Sequence, residues 1–337
     1  MIDLLVAGGG PAGLATAVHA ARAGLEVVVA EPRPAPIDKA CGEGLMPGAV
    51  QALAGLGVAP VGCPLRGIRY LDERRSAEAR FAAEPGRGVR RTELHAALAR
   101  RAEQLGVRVL PLRVGEIRQD GHSVTAAGIT ARYLAAADGL HSPIRRRLAL
   151  DRPDPRPPRY GLRRHFAVQP WTDCVEVHWS PGAEAYVTPL GPDLVGVAVL
   201  TAERGPFDGH LARFPLLARR LPGTAATAVR GAGPLRQRVR GRVAGRVLLV
   251  GDAAGYIDAL TGEGVSLALA AAAELVRCVR ADRPQAYEQA WRRVSRRHRL
   301  LTDTLLWTRC QPALAGRIVP AAARLPAVFT LLVNQLA

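Results

Sequence analysis

The sequence predicts an α/β fold: a discontinuous Rossmann-like dinucleotide-binding domain, an antiparallel β-sheet domain inserted into it, and C-terminal helices. Three short motifs in a fixed order predict this fold, at Gly8–Gly13, Ala137–Ser142 and Val250–Gly255. Each follows an apolar run of strand length, and ligands of open α/β sheets bind at the carboxyl ends of the strands. We therefore expect the three motifs to converge on one ligand.

The first motif has the Gly-x-Gly-x-x-Gly pattern in the strand–turn–helix setting that gives this pattern its meaning. Ile2–Val6 is the predicted strand and Pro11–Ala23 the alanine-rich helix. Gly8 permits the tight turn, Gly10 lets a pyrophosphate approach the backbone, and Gly13 lets the helix pack closely on its strand. The amides at the helix start are donors for the phosphates.

The second strand of the nucleotide domain, Leu25–Ala30, ends at Glu31, and Arg33 follows. A carboxylate at this position accepts hydrogen bonds from the adenosine ribose hydroxyls and disfavours a 2′-phosphate. Strand, turn, helix and acid together predict a dinucleotide site. They do not separate FAD from NAD.

The late motif indicates a flavin. The strand Arg246–Val250 delivers Asp252 to its carboxyl end, where a carboxylate can hold ribityl hydroxyls. The glycine-broken loop Asp258–Val265 then opens the helix Ser266–Leu275. Amides at that helix start would face the pyrimidine edge of a flavin and favour the negative charge of its reduced form. The sequence therefore predicts FAD.

These motifs resemble those of the p-hydroxybenzoate-hydroxylase-type flavoproteins, and the resemblance runs from Ile2 to about Leu275. It rests on the glycine motif, on Asp138 and Gly139 with Ser142 and Arg145, on Gly251 and Asp252, and on Arg91 with Leu94 and Leu98 in a helix whose arginine the family uses near FAD. The predicted cofactor-binding residues are Gly8, Gly10, Pro11, Ala12, Gly13, Glu31, Arg33, Arg91, Asp138, Gly139, Asp252, Gly262, Gly264 and Val265.

Within that superfamily, two segments look most like the geranylgeranyl reductase branch. Cys41–Leu45 resembles its Cys-Gly-x-Gly-Leu segment beside the isoalloxazine, and Leu260–Gly264 resembles its Thr-Gly-Glu-Gly loop, although Ala259 stands where a proline is usual. The resemblance implies that Cys41 tunes or gates the flavin; simple packing of a small thiol is the alternative. Glu43 is either an acid–base group or a residue that orders its loop.

Domain boundaries follow from the pattern of strands and linkers. Residues 1–150 are predicted to form the first part of the FAD-binding domain, with a small inserted sheet, and residues 151–240 the antiparallel substrate sheet. Residues 241–280 close the FAD-binding domain, and residues 281–337 form C-terminal helices. Phe207–Leu221 is predicted to be one helix.

The predicted substrate sheet has four strands, suited to wall one side of a flavin pocket. They are Tyr160–Val168, Cys174–Trp179, Glu184–Leu190 and Leu194–Leu200. Three residues on these strands are candidate substrate contacts, with core or surface packing as the alternative: His165, Trp179 and Tyr186.

The composition and net charge of the chain bear on which kinds of molecule it binds. A chain of 337 residues with 48% hydrophobic residues can bury a large core. The net charge of +17 would suggest nucleic acid or an acidic membrane. However, Lys39 is the only lysine, the arginines are scattered among alanine and proline, and no nucleic-acid motif is present. We expect no nucleic-acid partner; attraction of anionic NAD(P)H or of an anionic substrate stays open.

Cysteine usage and the chain ends bear on location. Five cysteines, odd in number and without metal-like spacing, favour a reducing cytoplasm and no bound metal. The first strand begins at Ile2, which leaves no room for a signal peptide, and no apolar stretch reaches the length of a membrane span. The apolar tail Gln311–Ala337 either packs on the core, covers a substrate tunnel or makes peripheral contact with a membrane. The oligomeric state is not predicted.

The sequence thus predicts an FAD-dependent oxidoreductase, because the redox chemistry belongs to the cofactor that the motifs bind. By analogy of fold, the favoured reaction is NAD(P)H-dependent hydroxylation of a small hydrophobic, aromatic or polyketide-like metabolite by a monooxygenase. A geranylgeranyl-reductase-like reduction of a double bond is the alternative, supported by Cys41–Leu45. A flavoprotein with a non-redox or binding role is a further alternative.

Overall fold

The computed structural model describes residues 1–82 and 84–336. The strands are β1 Ile2–Ala7, β2 Val27–Ala30, β3 Gly44–Leu45, β4 Cys63–Leu65, β5 Gly67–Leu71, β6 Ser76–Arg80, β7 Gly86–Gly88, β8 Arg108–Leu110, β9 Ile117–Gln119, β10 Val124–Ala126, β11 Ile129–Ala136, β12 Asp151–Arg152, β13 Tyr160–Phe166, β14 Cys174–Ser180, β15 Ala183–Gly191, β16 Leu194–Thr201, β17 Arg230–Ala232, β18 Arg238–Val239, β19 Val243–Ala244 and β20 Val247–Leu249. The helices are α1 Pro11–Arg22, α2 Pro47–Gly55, α3 Arg91–Gln104, α4 Pro143–Arg147, α5 Phe207–Leu211, α6 Pro215–Ala218, α7 Gly264–Arg280, α8 Ala286–Cys310, α9 Pro312–Ala315, α10 Ile318–Arg324 and α11 Pro326–Leu336.

The central sheet has the strand order β19-β20-β11-β1-β2-β8, and β20, β11, β1, β2 and β8 run parallel. β2 is a continuous apolar run and β1 is apolar except for Asp3, as expected for strands of a parallel sheet that is buried on both faces, and α1 packs directly on β1, β2 and β11. Ala7 pairs with Ala30 on one side and with Ala136 on the other, and Ala136 pairs with Leu249. The strand ends that precede the three motifs therefore lie at one edge.

The predicted fold class is confirmed, including the discontinuity of the nucleotide domain. β20 enters the central sheet beside β11 although the whole substrate sheet separates the two in sequence. The small inserted sheet is present as β9 and β10, which extend β11 in antiparallel fashion.

The substrate sheet has seven strands in the order β17-β13-β16-β15-β14-β5-β6. Its centre is the predicted antiparallel set β13 to β16. β5 and β6 join it through a parallel pairing of β5 with β14, so residues 67–80 lie in this sheet although they precede residue 150. One face packs on α5 and α6. The predicted helix Phe207–Leu221 is wrong in its length, because the chain leaves the helix before Pro215 and α6 starts there.

The other face of the substrate sheet meets the C-terminal helices. Val177 and Tyr186 pack with Leu260, Leu306 and Val319. α11 lies on β6, where its Asn334 side chain bonds the backbone of residues 80 and 82. Among the described helices, none is by itself both long and apolar enough to cross a membrane; α10 and α11 meet that test only as a pair bent by 108°.

Candidate active site

The glycine turn is built for close approach. A Cβ on Gly13 would lie 1.8 Å from the Gly8 carbonyl oxygen, so α1 can pack on β1 only with glycine there. Gly8 has φ 108°, which also favours glycine. Around Gly10, by contrast, a Cβ would meet nothing within 4 Å. α1 has no side-chain cap at its start, so its first amides face open space in which a phosphate fits.

Glu31 is held in place beside this turn. Its Oε2 accepts a hydrogen bond from the Gly9 amide at 2.8 Å, and its Oε1 accepts from the Arg33 amide at 2.9 Å and from Arg33 Nε at 2.8 Å. Burial opposes its ionisation, but the bonds from Arg33 and Gly9 hold the pKa of Glu31 below its usual value. A fixed, charged carboxylate therefore stands at the predicted ribose position.

The middle and late motifs are joined by Arg145. Its buried guanidinium donates to the carbonyl oxygens of Leu140, Asp252 and Ala253 at 3.0, 3.3 and 3.1 Å. Ser142 Oγ accepts from the Arg145 amide at 2.9 Å and so caps α4. The two motifs, more than a hundred residues apart, form one structural unit.

Asp138 has an unsatisfied oxygen. Its Oδ2 accepts from the Ile144 amide at 3.0 Å, while Oδ1 is buried and has no partner within residues 1–82 and 84–336. Burial raises the pKa of Asp138, and hydrogen bonding to Ser142 and Ile144 opposes that rise. A buried acceptor without a donor is costly, so this oxygen fits a hydroxyl of a bound cofactor.

Asp252 pairs with Lys39, whose Nζ donates to Oδ2 at 2.8 Å. Burial alone would raise the pKa of Asp252, but the neighbouring charge of Lys39 holds this pKa below its usual value. Lys39 also lies 4.0 Å from the point where a Cβ on Gly139 would stand, and thus between two of the motifs. Sequence reasoning missed this residue as part of the site; that it is the only lysine was the available signal.

The start of α7 is free to face a ligand. α7 begins at Gly264 without a side-chain cap, and Val265 follows. Gly262 has φ 71°, which glycine adopts readily. The loop before α7 is fixed from outside: Leu260 accepts from Tyr186 Oη at 3.0 Å, and Glu263 Oε2 lies 2.9 Å from His298 Nδ1. Its amides therefore remain available as donors.

The Cys41–Leu45 loop is anchored through Glu43. This residue is 3% exposed; its Oε1 accepts from the Arg91 amide at 2.8 Å and its Oε2 lies 2.7 Å from His165 Nε2. Gly196, opposite His165 on β16, makes room, since a Cβ there would come within 3.0 Å of Glu43 Oε2. Cys41 is half-buried, and its sulfur accepts from the Glu43 amide at 3.4 Å. The catalytic roles of Cys41 and Glu43 remain predictions.

The three candidate substrate residues occupy different places. His165 is 1% exposed, bonded to Glu43, and lies where the two domains meet. Tyr186 is buried and holds the loop before α7; burial raises its pKa well above the usual value. Trp179 lines a cavity of about 2050 Å³ between the substrate sheet and the C-terminal helices. Substrate contact by any of them remains a prediction.

A buried ionic cluster borders this cavity, and the sequence analysis did not predict it. Glu184 is fully buried and pairs with Arg159 at 2.6 Å and with Arg309. Arg159 also lies 3.2 Å from Asp258, whose pKa is raised to about 6 by burial against the opposing effect of Arg159. Within the described part of the chain, no group of three His, Cys, Asp or Glu side chains could hold a metal ion.

These features suit a flavin nucleotide: a phosphate-sized opening at α1, a ribose-side carboxylate, an unpaired Asp138 oxygen and the free amides of α7. The sequence model of the FAD binding domain family matches residues 1–181. The chain belongs to this family. As a member, it is an FAD-dependent flavoprotein of the oxidoreductase type, and the resemblance to the p-hydroxybenzoate-hydroxylase-type superfamily is confirmed.

Proteins similar in sequence to this flavoprotein are named as reductases and as a monooxygenase/isomerase. A menaquinone reductase of Mycobacterium tuberculosis is 32% identical over 304 residues, covering 79% of this chain and 74% of the relative. A digeranylgeranylglycerophospholipid reductase 1 of Methanothermobacter thermautotrophicus is 28% identical (78% and 73% covered), and an aurachin C monooxygenase/isomerase of Stigmatella aurantiaca is 29% identical (82% and 80% covered). The solved structure of the flavin-dependent brominase Bmp2 superposes with a TM-score of 0.82 at 18% identity, covering 99% of this chain and 93% of that one, which shows the shared fold.

Proposed function

We propose that this flavoprotein reduces an isolated carbon–carbon double bond in a long apolar substrate of isoprenoid type. The observation that carries the proposal is the cavity of about 2050 Å³ beside Trp179. Sites for drug-sized ligands span about 300–1,000 Å³, so this space suits an extended chain better than a single ring.

Part of the cavity wall agrees with such a substrate. Apolar surface comes from Trp179 on the sheet, Phe214 directly before α6, Leu306 and Trp307 of α8 and Val319 of α10, while ten arginines and four acidic residues supply the polar part of the lining. Because hydrophobic contact is non-directional and scales with area, a long chain binds such a surface along its length. The relatives named as menaquinone and digeranylgeranylglycerophospholipid reductases, at 32% and 28% identity, also favour reduction of a lipid.

When bound and reduced, FAD would supply a hydride for one alkene carbon, and NAD(P)H is the proposed source of these two electrons. The protein must place the double bond, exclude water and provide a proton for the second carbon. We propose Cys41, half-buried in an anchored loop near the predicted flavin position, as the residue that provides this proton. The uncapped amides of α7 would stabilise the negative charge of the reduced cofactor.

The test uses FAD-loaded protein under nitrogen. NADH or NADPH should bleach the flavin, and geranylgeraniol, an isoprenoid without a quinone ring, should then restore its colour with formation of a product two hydrogens heavier. The proposal fails if the colour returns only when oxygen is admitted.

A monooxygenase acting on a hydrophobic aromatic or polyketide-like metabolite is the second candidate, favoured by the relative named aurachin C monooxygenase/isomerase at 29% identity. In that case the product gains one oxygen atom, which ¹⁸O₂ labelling detects. If neither NADH nor NADPH bleaches the flavin and an added reductase does not either, a non-redox role replaces both candidates.

A further inference from the structure

Exposed apolar side chains concentrate near the C-terminus. Among the residues whose exposure the structure describes, ten large hydrophobic residues are exposed, and six of them lie between Leu300 and Leu332. Four of them lie close together in sequence: Leu325 directly before α11, and Val328, Leu331 and Leu332 on α11, and they are 44–59% exposed. Scattered single residues of this kind are ordinary, but a contiguous group marks an interaction surface.

α11 is apolar on two sides. Phe329 and Val333 are buried with Ala77 and Ala79 of β6, which fixes the helix on the protein. Val328, Leu331 and Leu332, at i, i+3 and i+4, form one face of α11 and are exposed to solvent. The outer side of α11 is therefore an exposed apolar surface that does not pack on the core of the protein.

The chain segment that forms this surface has charges of one sign only. From Thr304 to Leu336 the chain has three arginines and no acidic residue. Arg317 and Arg324, before and at the end of α10, are exposed and have no acidic partner among the described residues. An apolar helix face flanked by arginines is complementary to the headgroup layer of an anionic membrane, and the net charge of +17 adds long-range attraction.

We propose that α10 and α11 dock on the surface of an anionic lipid membrane, with the outer face of α11 inserted among the headgroups and Arg317 and Arg324 bound to lipid phosphates. The bend of 108° between the helices and the attachment of α11 to β6 suit helices lying on the membrane. Spanning would leave backbone groups at the bend unpaired in hydrocarbon.

The docking surface adjoins the large cavity. Val319 and Pro320 of α10 line that cavity, as do the exposed Leu300 and Trp307 of α8. A lipid substrate could therefore pass between membrane and cavity along apolar surface. The docking itself does not rest on the proposed reaction, because it is measured as binding without turnover.

The experiment is co-sedimentation of FAD-loaded full-length protein with vesicles of phosphatidylcholine alone or mixed with phosphatidylglycerol. The wild type should bind the mixed vesicles at least tenfold more strongly, and less at high salt. Leu331→Ser with Leu332→Ser should lower that partition at least tenfold. Val61→Ser with Val109→Ser is the matched control, since these residues are 77% and 47% exposed elsewhere on the protein.

FAD content and melting temperature check that the variants fold. Equal binding to both kinds of vesicle, or unchanged binding of the Leu331/Leu332 variant, would overturn the proposal. So would a wild-type dimer that this variant loses while neither protein binds vesicles, because a second copy would then cover the surface.

Discussion

Replacing Glu43 by alanine tests whether this residue holds the loop that carries Cys41. The substitution removes the acceptor of the Arg91 amide at 2.8 Å and the partner of His165 at 2.7 Å. It also removes one of the acidic neighbours of the buried Arg163, whose Nε lies 3.9 Å from Glu43 Oε2. Breaking a buried ionic or hydrogen-bonded pair from one side costs about 3–5 kcal/mol.

We therefore expect Glu43→Ala to lower the free energy of unfolding by about 3–5 kcal/mol, measured by urea denaturation at a fixed FAD concentration. Glu43→Gln keeps an acceptor for the Arg91 amide and should lose about 1–2 kcal/mol. Glu103→Ala, an exposed glutamate on α3, is the control and should change stability by less than about 0.5 kcal/mol. A loss below about 1 kcal/mol for Glu43→Ala would refute the anchoring argument.

Four further outcomes are expected. Gly13→Ala should prevent correct folding, because its Cβ would lie 1.8 Å from a backbone oxygen. Gly10→Ala should keep the melting temperature of the FAD-free protein but lose affinity for FAD. Equal behaviour of the two variants would contradict the turn geometry. Asp252→Ala should lower the FAD content after gel filtration, since a ribityl acceptor is lost, and full retention would argue against its placement. Asp258 has a folded pKa of about 6, above its usual 3.8, so it binds a proton more readily in the folded state and its contribution to stability falls as pH rises from about 4 to about 6. Asp258→Asn should remove this pH dependence of the free energy of unfolding, measured by urea denaturation at several pH values. An unchanged pH dependence would contradict the raised pKa of Asp258. Cys41→Ser should change the flavin spectrum or turnover while the fold is kept; wild-type behaviour in both would reduce Cys41 to packing.

The parts of the site that follow from local backbone chemistry were predictable. The glycine turn, the acid after the second strand and the aspartate motifs each need particular residues at short spacing, and all lie at strand ends that the structure places side by side. Turn geometry and strand length depend on residues that are neighbours in sequence, so these parts of the site could be predicted without knowing any contact between distant segments.

Contacts between distant segments were not predictable in this way. Lys39 meets Asp252, and Glu43 meets His165, across 213 and 122 residues. The parallel pairing of β5 with β14 likewise depends on how two domains meet. No local pattern encodes these partners. By contrast, Pro215 lies inside the predicted helix Phe207–Leu221 and starts α6 in the structure, so it was a local signal that the helix is interrupted.

The interrupted central sheet has a consequence for synthesis of the chain. β11 receives its second parallel neighbour, β20, only after the ribosome has added roughly 110 more residues, a delay of roughly 6–20 s at about 5–20 residues per second. Until then an apolar strand edge stays open to wrong partners. Chaperone binding to the nascent protein should peak in this interval and end once Val247–Leu249 emerges.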